Sequence, residues 1–296
     1  MRRVLALATA VVALSLTGSA SAATAVRCGD VISGGTVVLD RDLACPAGDG
    51  LVVRPDQDVT LDLGGHAISG GGTGDGLRFV TAGAPGGDVV VRDGAIRGFE
   101  QGVAIGGILV HAIDLQDLNI RANGTGVSCF TGAHLTISDS VVAANAGHGF
   151  VNSRCQSKLI GDQLRANGWS GAVSSQDSLR VVRDSVFANN GSNGLAIDFS
   201  VASITGNRFT GNGGAGLTIF EAGCSWFPSY EIADNVADDN AHGGLALRTG
   251  MPCDATFVPA GAGNAAKHNG DFQCLVVVCA ANRGLAAVDA TADVGI

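Results

Sequence analysis

The sequence predicts an all-β chain wound as a single-stranded, right-handed parallel β-helix of about nine to ten coils. Three observations carry that expectation. A glycine recurs ahead of a short apolar strand, an asparagine stands four residues before it, and further apolar strands lie upstream in each unit. The glycine falls at Gly50, Gly76, Gly102, Gly126, Gly149, Gly171, Gly194, Gly216 and Gly244, at intervals of 26, 26, 24, 23, 22, 23, 22 and 28 residues. The asparagine is Asn145, Asn167, Asn190, Asn212 and Asn240 in five successive units, and Asn123 stands three before Gly126. The upstream strands read "DVVVRD", "IDLQDLNI", "LTISDSVV", "LRVVRDSVF", "SITGNRF" and "YEIADNV".

A period this short excludes a helical solenoid, whose repeats are longer and built from good helix formers. Here glycine accounts for 45 of 296 residues. One unit has too little apolar surface to fold alone, so the units must stack leucine on leucine and isoleucine on isoleucine. Crossovers between parallel strands favour the right hand. Nine or ten coils at roughly 4.8 Å each make a rod of about 45 Å. Glycine is expected to supply positive-φ turns, which asparagine also tolerates, while stacked asparagines bond their amides from coil to coil. These residues therefore read as shape rather than chemistry.

Taken in order, residues 1–22 read as a signal peptide. Arg2 and Arg3 lead an apolar stretch from Val4 to Leu16, and Ala20-Ser21-Ala22 offers a small-residue cleavage site. Residues 23–50 form an N-terminal cap, and 51–296 the β-helix, with inserted loops near 221–231 and 248–264. No later apolar run reaches membrane-spanning length, so the expected product is secreted and extracellular, with no membrane partner. Losing Arg2 and Arg3 from 18 basic residues, against 27 acidic ones, leaves a net charge of −11. Of those acids 24 are aspartates, which favour turns, and the lysines number two. An acidic surface without a basic stripe excludes nucleic acid as a partner. A monomer is expected.

The opening of the mature chain, "CGDVISGGTVVLDRDLACPAGDGLVV" followed by "VTLDLGGHAISG", resembles the secreted right-handed parallel β-helix repeat proteins, the superfamily of pectate lyases and polygalacturonases. The resemblance covers nearly all of the mature chain and implies the fold without choosing an activity. It implies a cap closed by two cysteines, here Cys28 and Cys45. Eight cysteines in an exported chain suggest disulfides. Register places Cys129 three past Gly126 and Cys155 six past Gly149, with Cys224 eight past Gly216 and Cys253 nine past Gly244. Cys129–Cys155 and Cys224–Cys253 should therefore staple neighbouring coils. Cys274 and Cys279 pair by elimination, which requires a bend.

Chemistry is sparse. The first outward position after each repeat glycine reads Ala104, Ser128, Val151, Val173, Ala196, Thr218 and Ala246. The second reads Gly106, Phe130, Ser153, Ser175, Asp198, Phe220 and Arg248. Only Asp198, Glu221 just beyond its strand, and Arg248 offer a candidate acid, base and charge stabiliser. The alternative is a solvated surface ion pair. The insertions "EAGCSWFPSYE" and "RTGMPCDATFVPAGAGN" lie beside them and hold Trp226 and Tyr230, which with Phe220 are candidate carbohydrate-stacking residues.

"GHGF" at Gly147–Phe150 resembles the Gly-His-Gly of polygalacturonases. The aspartate pair those enzymes place before it is missing, since Asp238-Asp239 comes far later, and so is their downstream Arg-Ile-Lys. His148 thus reads as a turn residue. "RPDQDV" matches only the first part of the pectate lyase Arg-x-Pro-x-x-Arg, and no Asp-Pro-His stretch like that of alginate epimerases occurs. No cofactor and no zinc spacing is expected. Asp234, Asp238 and Asp239, or the aspartates of "DQDVTLD", could hold calcium, but turn aspartates bonding backbone explain them as well. Two functions remain: a non-catalytic secreted protein that binds or coats extracellular material, polysaccharide above all, or a lyase or hydrolase working at Asp198, Glu221 and Arg248.

Overall fold

The computed structural model describes residues 25–81, 86–107, 112–130, 132–176, 178–198, 203–221, 231–249, 261–275, 277 and 279. Every strand pairing among them is parallel, and each coil contributes to three faces. The first face is an eleven-stranded sheet running from Val31–Ile32 to Phe272–Leu275. It is slightly deeper than nine or ten coils, because pairing already starts at Val31–Ile32 within 23–50. A second ladder runs from Gly35–Val38 to Glu231–Ala233, and a third from Leu43–Cys45 to Ala265–Lys267. Strands Val89–Arg97 and Ala112–Arg121 continue across both.

The stacking follows the glycine register. Leu195, Leu217 and Leu245 are direct partners in successive coils, and all three are fully buried. On the third face Phe187 lies on Phe209, ring centroids 5.0 Å apart and ring planes nearly parallel.

The upstream segments that read as single strands bend in the middle. "LTISDSVV" splits into His134–Ser138 and Val141–Ala143. The bend is made by a left-handed residue, Asp139 at φ 51°, and the same place is taken by Gly161, Asp184, Gly206 and Asp234 in later coils. A second left-handed bend follows at Ala122, Ala144, Ala166, Asn189 and Gly211. An L-alanine there pays a steric cost that glycine avoids, even after glycine's larger loss of chain entropy. Ala166→Gly should therefore raise stability by about 0.5–1 kcal/mol in denaturant unfolding. A loss would contradict this account of the bend.

The repeat glycines work differently from the expectation. None of Gly50, Gly76, Gly102, Gly126, Gly149, Gly171, Gly194, Gly216 or Gly244 has positive φ. They are required by close approach. A Cβ on Gly171 would stand 2.6 Å from the Gly194 carbonyl oxygen and 2.9 Å from the Asn190 amide nitrogen, and Gly126, Gly149 and Gly194 are equally confined.

That amide nitrogen belongs to a ladder. Asn123, Asn145, Asn167, Asn190, Asn212, Asn240 and Asn269 are buried, and each Nδ2 up to Asn240 donates to the Oδ1 of the asparagine one coil on, at 2.8–3.2 Å. The same Oδ1 also accepts a backbone N–H from the coil before. A second ladder, at the first bend, runs Ser140, Asp162, Ser185, Asn207, Asn235 and Asn264 with backbone donors at 2.9–3.1 Å. Both columns satisfy backbone groups that the bends remove from the sheets.

Three disulfides follow the expected pairing: Cys28–Cys45, Cys129–Cys155 and Cys274–Cys279, with Cα separations of 5.6, 6.0 and 6.4 Å. Cys129 and Cys155 are fully buried, so this staple sits inside the stack rather than in exposed loops. Cys279 bridges back to Asn264, which gives the bend that its bond to Cys274 needs. Cys224 and Cys253 lie outside the described residues.

Candidate functional site

The outer surface of the first sheet carries two columns of side chains. In the first, Ala104, Ser128, Thr218 and Ala246 are buried, and only Val151, Val173 and Ala196 are half-exposed. The sequence expectation of one continuous outward stripe is thus narrowed to three central coils. In the second column Ser153 pairs with Ser175, Ser175 with Asp198, Asp198 with Phe220, and Phe220 with Arg248. Phe130 follows Cys129, the partner of Asn152, and so stands level with Ser153.

The two columns make a trough of about 700 Å³ lined by Val151, Ser153, Val173, Ser175, Ala196 and Asp198, with Phe130 and Phe220 at its ends. The phenylalanines are 52% and 44% exposed, which is unusual for a ring that the core could take. Four rungs separate them, about 19 Å at strand spacing. The floor is apolar along one column and hydroxylic along the other. Asp198 is the one titratable group among the described lining residues, and its partial burial pushes its carboxyl up.

Of the sequence candidates, Asp198 and Phe220 meet in this trough. Arg248 holds the predicted position, two rungs from Asp198. Glu221 is corrected: it is the last residue of strand Ala215–Glu221, paired with Thr249, rather than a residue beyond the strand. The side chains of Glu221 and Arg248 lie outside the described residues, as do Trp226 and Tyr230. His148 accepts a hydrogen bond at Nδ1 from the Ser170 N–H, 3.3 Å away, which agrees with a role in the turn, and burial lowers its pKa.

A second cavity of about 350 Å³ lies on the other side of Phe130, lined in part by Asp75, Arg78, Gln101 and Ser128. No sequence signal marked it. Arg78 is held by Asp49 at 2.6 Å, and the Ser128 hydroxyl donates to Gln101 Oε1. Burial raises the Asp75 carboxyl, with the Asp49 and Glu100 charges adding and Arg78 opposing.

The aspartates considered for calcium sit in bends or beside protein partners, and Asp238 Oδ1 is buried with no hydrogen-bond partner among the described residues. Asp234 and Asp239 occupy left-handed bends, and Asp238 faces Arg208 at 3.4 Å. Asp58 accepts the Asp88 N–H, while Asp62 takes the Gly64 N–H and Arg92. Among the described residues no group of three or more His, Cys, Asp or Glu side chains stands in a metal-holding arrangement.

Parallel strands, three faces and buried polar ladders define a β-helix. Residues 101–258 match the model of the right handed beta helix region, and the chain belongs to that family. It is similar in fold to the A-modules of two Azotobacter vinelandii mannuronan C-5 epimerases. AlgE6 has 16% identity over 86% of this chain and 80% of that one, with a TM-score of 0.57. AlgE4 has 15% identity over 86% and 77%, with a TM-score of 0.60. A periplasmic alginate epimerase, AlgG, aligns with 13% identity over 83% and 73%, at a TM-score of 0.52. No curated protein sequence matches the chain.

Proposed function

We propose that this protein is an exported, monomeric β-helix that binds or coats extracellular polysaccharide along the first-sheet trough. The observation that carries this reading is the pair of exposed rings, Phe130 and Phe220, closing a floor of valines and serines. Ring faces can stack on a sugar's C–H surface while hydroxyls meet its edges, and a rigid sheet holds both in place without an ordering cost. The likeness to structures named as mannuronan and alginate epimerases supports a saccharide ligand. The three disulfides and the leader-like residues 1–22 support export.

A catalytic reading is favoured by one observation, the place of Asp198 inside the trough with Arg248 two rungs away; partial burial there raises its carboxyl. In that reading Asp198, Glu221 and Arg248 act on a bound polysaccharide as a lyase or hydrolase. Screening the mature protein against a polysaccharide panel, with binding and cleavage scored separately, divides the two. The pair Phe130→Ala and Phe220→Ala should weaken binding by about 1–3 kcal/mol per ring. Asp198→Asn should leave binding nearly unchanged, and should abolish cleavage if any is seen. A panel on which the native protein binds nothing, or affinity indifferent to both rings, sinks the proposal.

A further inference from the structure

Trp169 is 60% exposed, more than Phe130 or Phe220, and it lies at a different place: the corner leading into strand Ala172–Ser175. The backbone bonds Gly147 N–H to Gly124 O, Trp169 N–H to Gly147 O, Ser192 N–H to Trp169 O, and Gly214 N–H to Ser192 O. Neighbouring coils therefore put Gly124, Gly147, Ser192 and Gly214 where this coil puts an indole. Three of these have no side chain, so the ring stands above a low shelf instead of filling a hole. An indole left open in this way presents a large, rigid ring face to solvent, with a polar N–H at its edge.

The ring is also held in place. His148, one coil earlier, meets it edge-to-face with centroids 5.0 Å apart and an interplanar angle of 78°. His148 is itself fixed, because its Nδ1 accepts the Ser170 N–H. An accepting Nδ1 means that the imidazole proton sits on Nε2, which has no partner among the described residues. Ser192 takes the next rung, its N–H donating to the Trp169 carbonyl, so the corner offers a held π face with the His148 Nε2 donor beside it and a serine in the adjoining coil. Among the described residues no ion pair involves His148. A flat ligand with an apolar face, polar edges and no charge fits this set, and a neutral pyranose is such a ligand.

From this geometry we infer that Trp169, bordered by His148 and Ser192, is a second saccharide-binding platform, selective for uncharged sugar rings and separate from the trough. The inference rests on the saccharide reading above in its ligand class, but its residues are different. A polysaccharide held at both places gains by effective concentration, so a long chain binds more tightly than either platform alone allows.

The test uses the only other tryptophan. In a Trp226→Phe background Trp169 is the sole indole, and its emission is followed during titration with a β-1,4-glucose hexamer and, separately, a galacturonate hexamer. A saturable emission change with the glucose hexamer is expected, with at least tenfold weaker response to the galacturonate one. Trp169→Ala should cost at least tenfold in calorimetric affinity for the glucose hexamer, and His148→Ala a few-fold. Phe130→Ala and Phe220→Ala should leave the emission change in place. If the hexamer binds by calorimetry while Trp169 emission stays unchanged, the platform is overturned and the trough reading stands. If Trp169→Ala alone abolishes binding, the trough reading fails and the platform stands. Binding of neither hexamer by the native protein, measured by calorimetry, overturns the platform.

Discussion

An Asn190→Ala variant is expected to lose about 3 kcal/mol of unfolding free energy, as one buried N–H loses its acceptor and neighbouring groups lose part of their bonding. Asn190 is 2% exposed. Its Oδ1 accepts from the Asn167 backbone N–H at 3.1 Å and from Asn167 Nδ2 at 3.0 Å. Its Nδ2 donates to the Leu164 carbonyl at 3.0 Å and to Asn212 Oδ1 at 2.9 Å. Truncation leaves the Asn167 N–H with no acceptor inside the stack. Asn167 Nδ2 keeps its bond to the Val142 carbonyl, and Asn212 Oδ1 keeps the Asn190 N–H, so those groups are only half deprived. Asn190→Asp separates geometry from chemistry. It has the right shape, but its second oxygen would face the Leu164 carbonyl and Asn212 Oδ1, two acceptors. The aspartate variant should therefore be less stable than the alanine one at neutral pH, and should recover as acid protonates it. Urea unfolding of the three proteins at two pH values checks both points. A loss below about 1 kcal/mol for alanine would mean that water satisfies the ladder as well as the amide does.

The ladder shows what a single sequence can disclose. The recurrence of Asn145 through Asn240 was legible because one residue type repeats at one offset, and backbone stacking leaves no other use for it. The companion ladder is harder to see, because Ser140, Asp162, Ser185, Asn207, Asn235 and Asn264 do not repeat one residue type. They share only an oxygen that accepts one N–H. A signal existed all the same, since each stands five residues before its Asn145, Asn167, Asn190, Asn212, Asn240 or Asn269 counterpart. The repeat glycines are legible as positions but not in mechanism, because a collision with the next coil's carbonyl has no mark in the local sequence.

The site divides along the same line. Strand alternation and register placed Asp198 and Phe220 on one outward column, since period two is a property of the strand itself. Burial of Ala104, Ser128, Thr218 and Ala246 in the adjoining column depends on what covers the sheet, which alternation does not encode. Trp169 escaped for the reverse reason. It lies in a bend, where no periodicity separates an exposed ring from a packed one, and only the glycines at its rung in other coils reveal that it is not filling space.

Asp162→Asn is expected to leave stability nearly unchanged at pH 4 and to raise it increasingly toward pH 8. Asp162 is the one carboxylate in the second ladder and is fully buried. Its Oδ1 accepts the Ser140 N–H at 2.9 Å and its Oδ2 the Ile160 N–H at 3.0 Å, while its own N–H donates to Ser185 Oγ. Burial pushes the carboxyl up to about 7, with Asp139 adding repulsion and the two N–H donors opposing both. An unfolded aspartate titrates near ~3.9. Between those values the folded protein holds a proton that the unfolded chain has released, so folding weakens as pH rises through this window and levels off above it. Across that window the loss is on the order of 4 kcal/mol by pH 8. At the equivalent rungs Asn207, Asn235 and Asn264 accept the same ladder bond without charge, and their Nδ2 donates to the Val182, Ile204 and Ile232 carbonyls. An amide at 162 can take that arrangement, giving up only the Ile160 bond. Unfolding free energies of the two proteins measured from pH 4 to pH 9 should diverge with rising pH, the variant above. Parallel curves would mean that the two backbone donors keep Asp162 ionised despite its burial, and that the carboxylate is at home in the ladder.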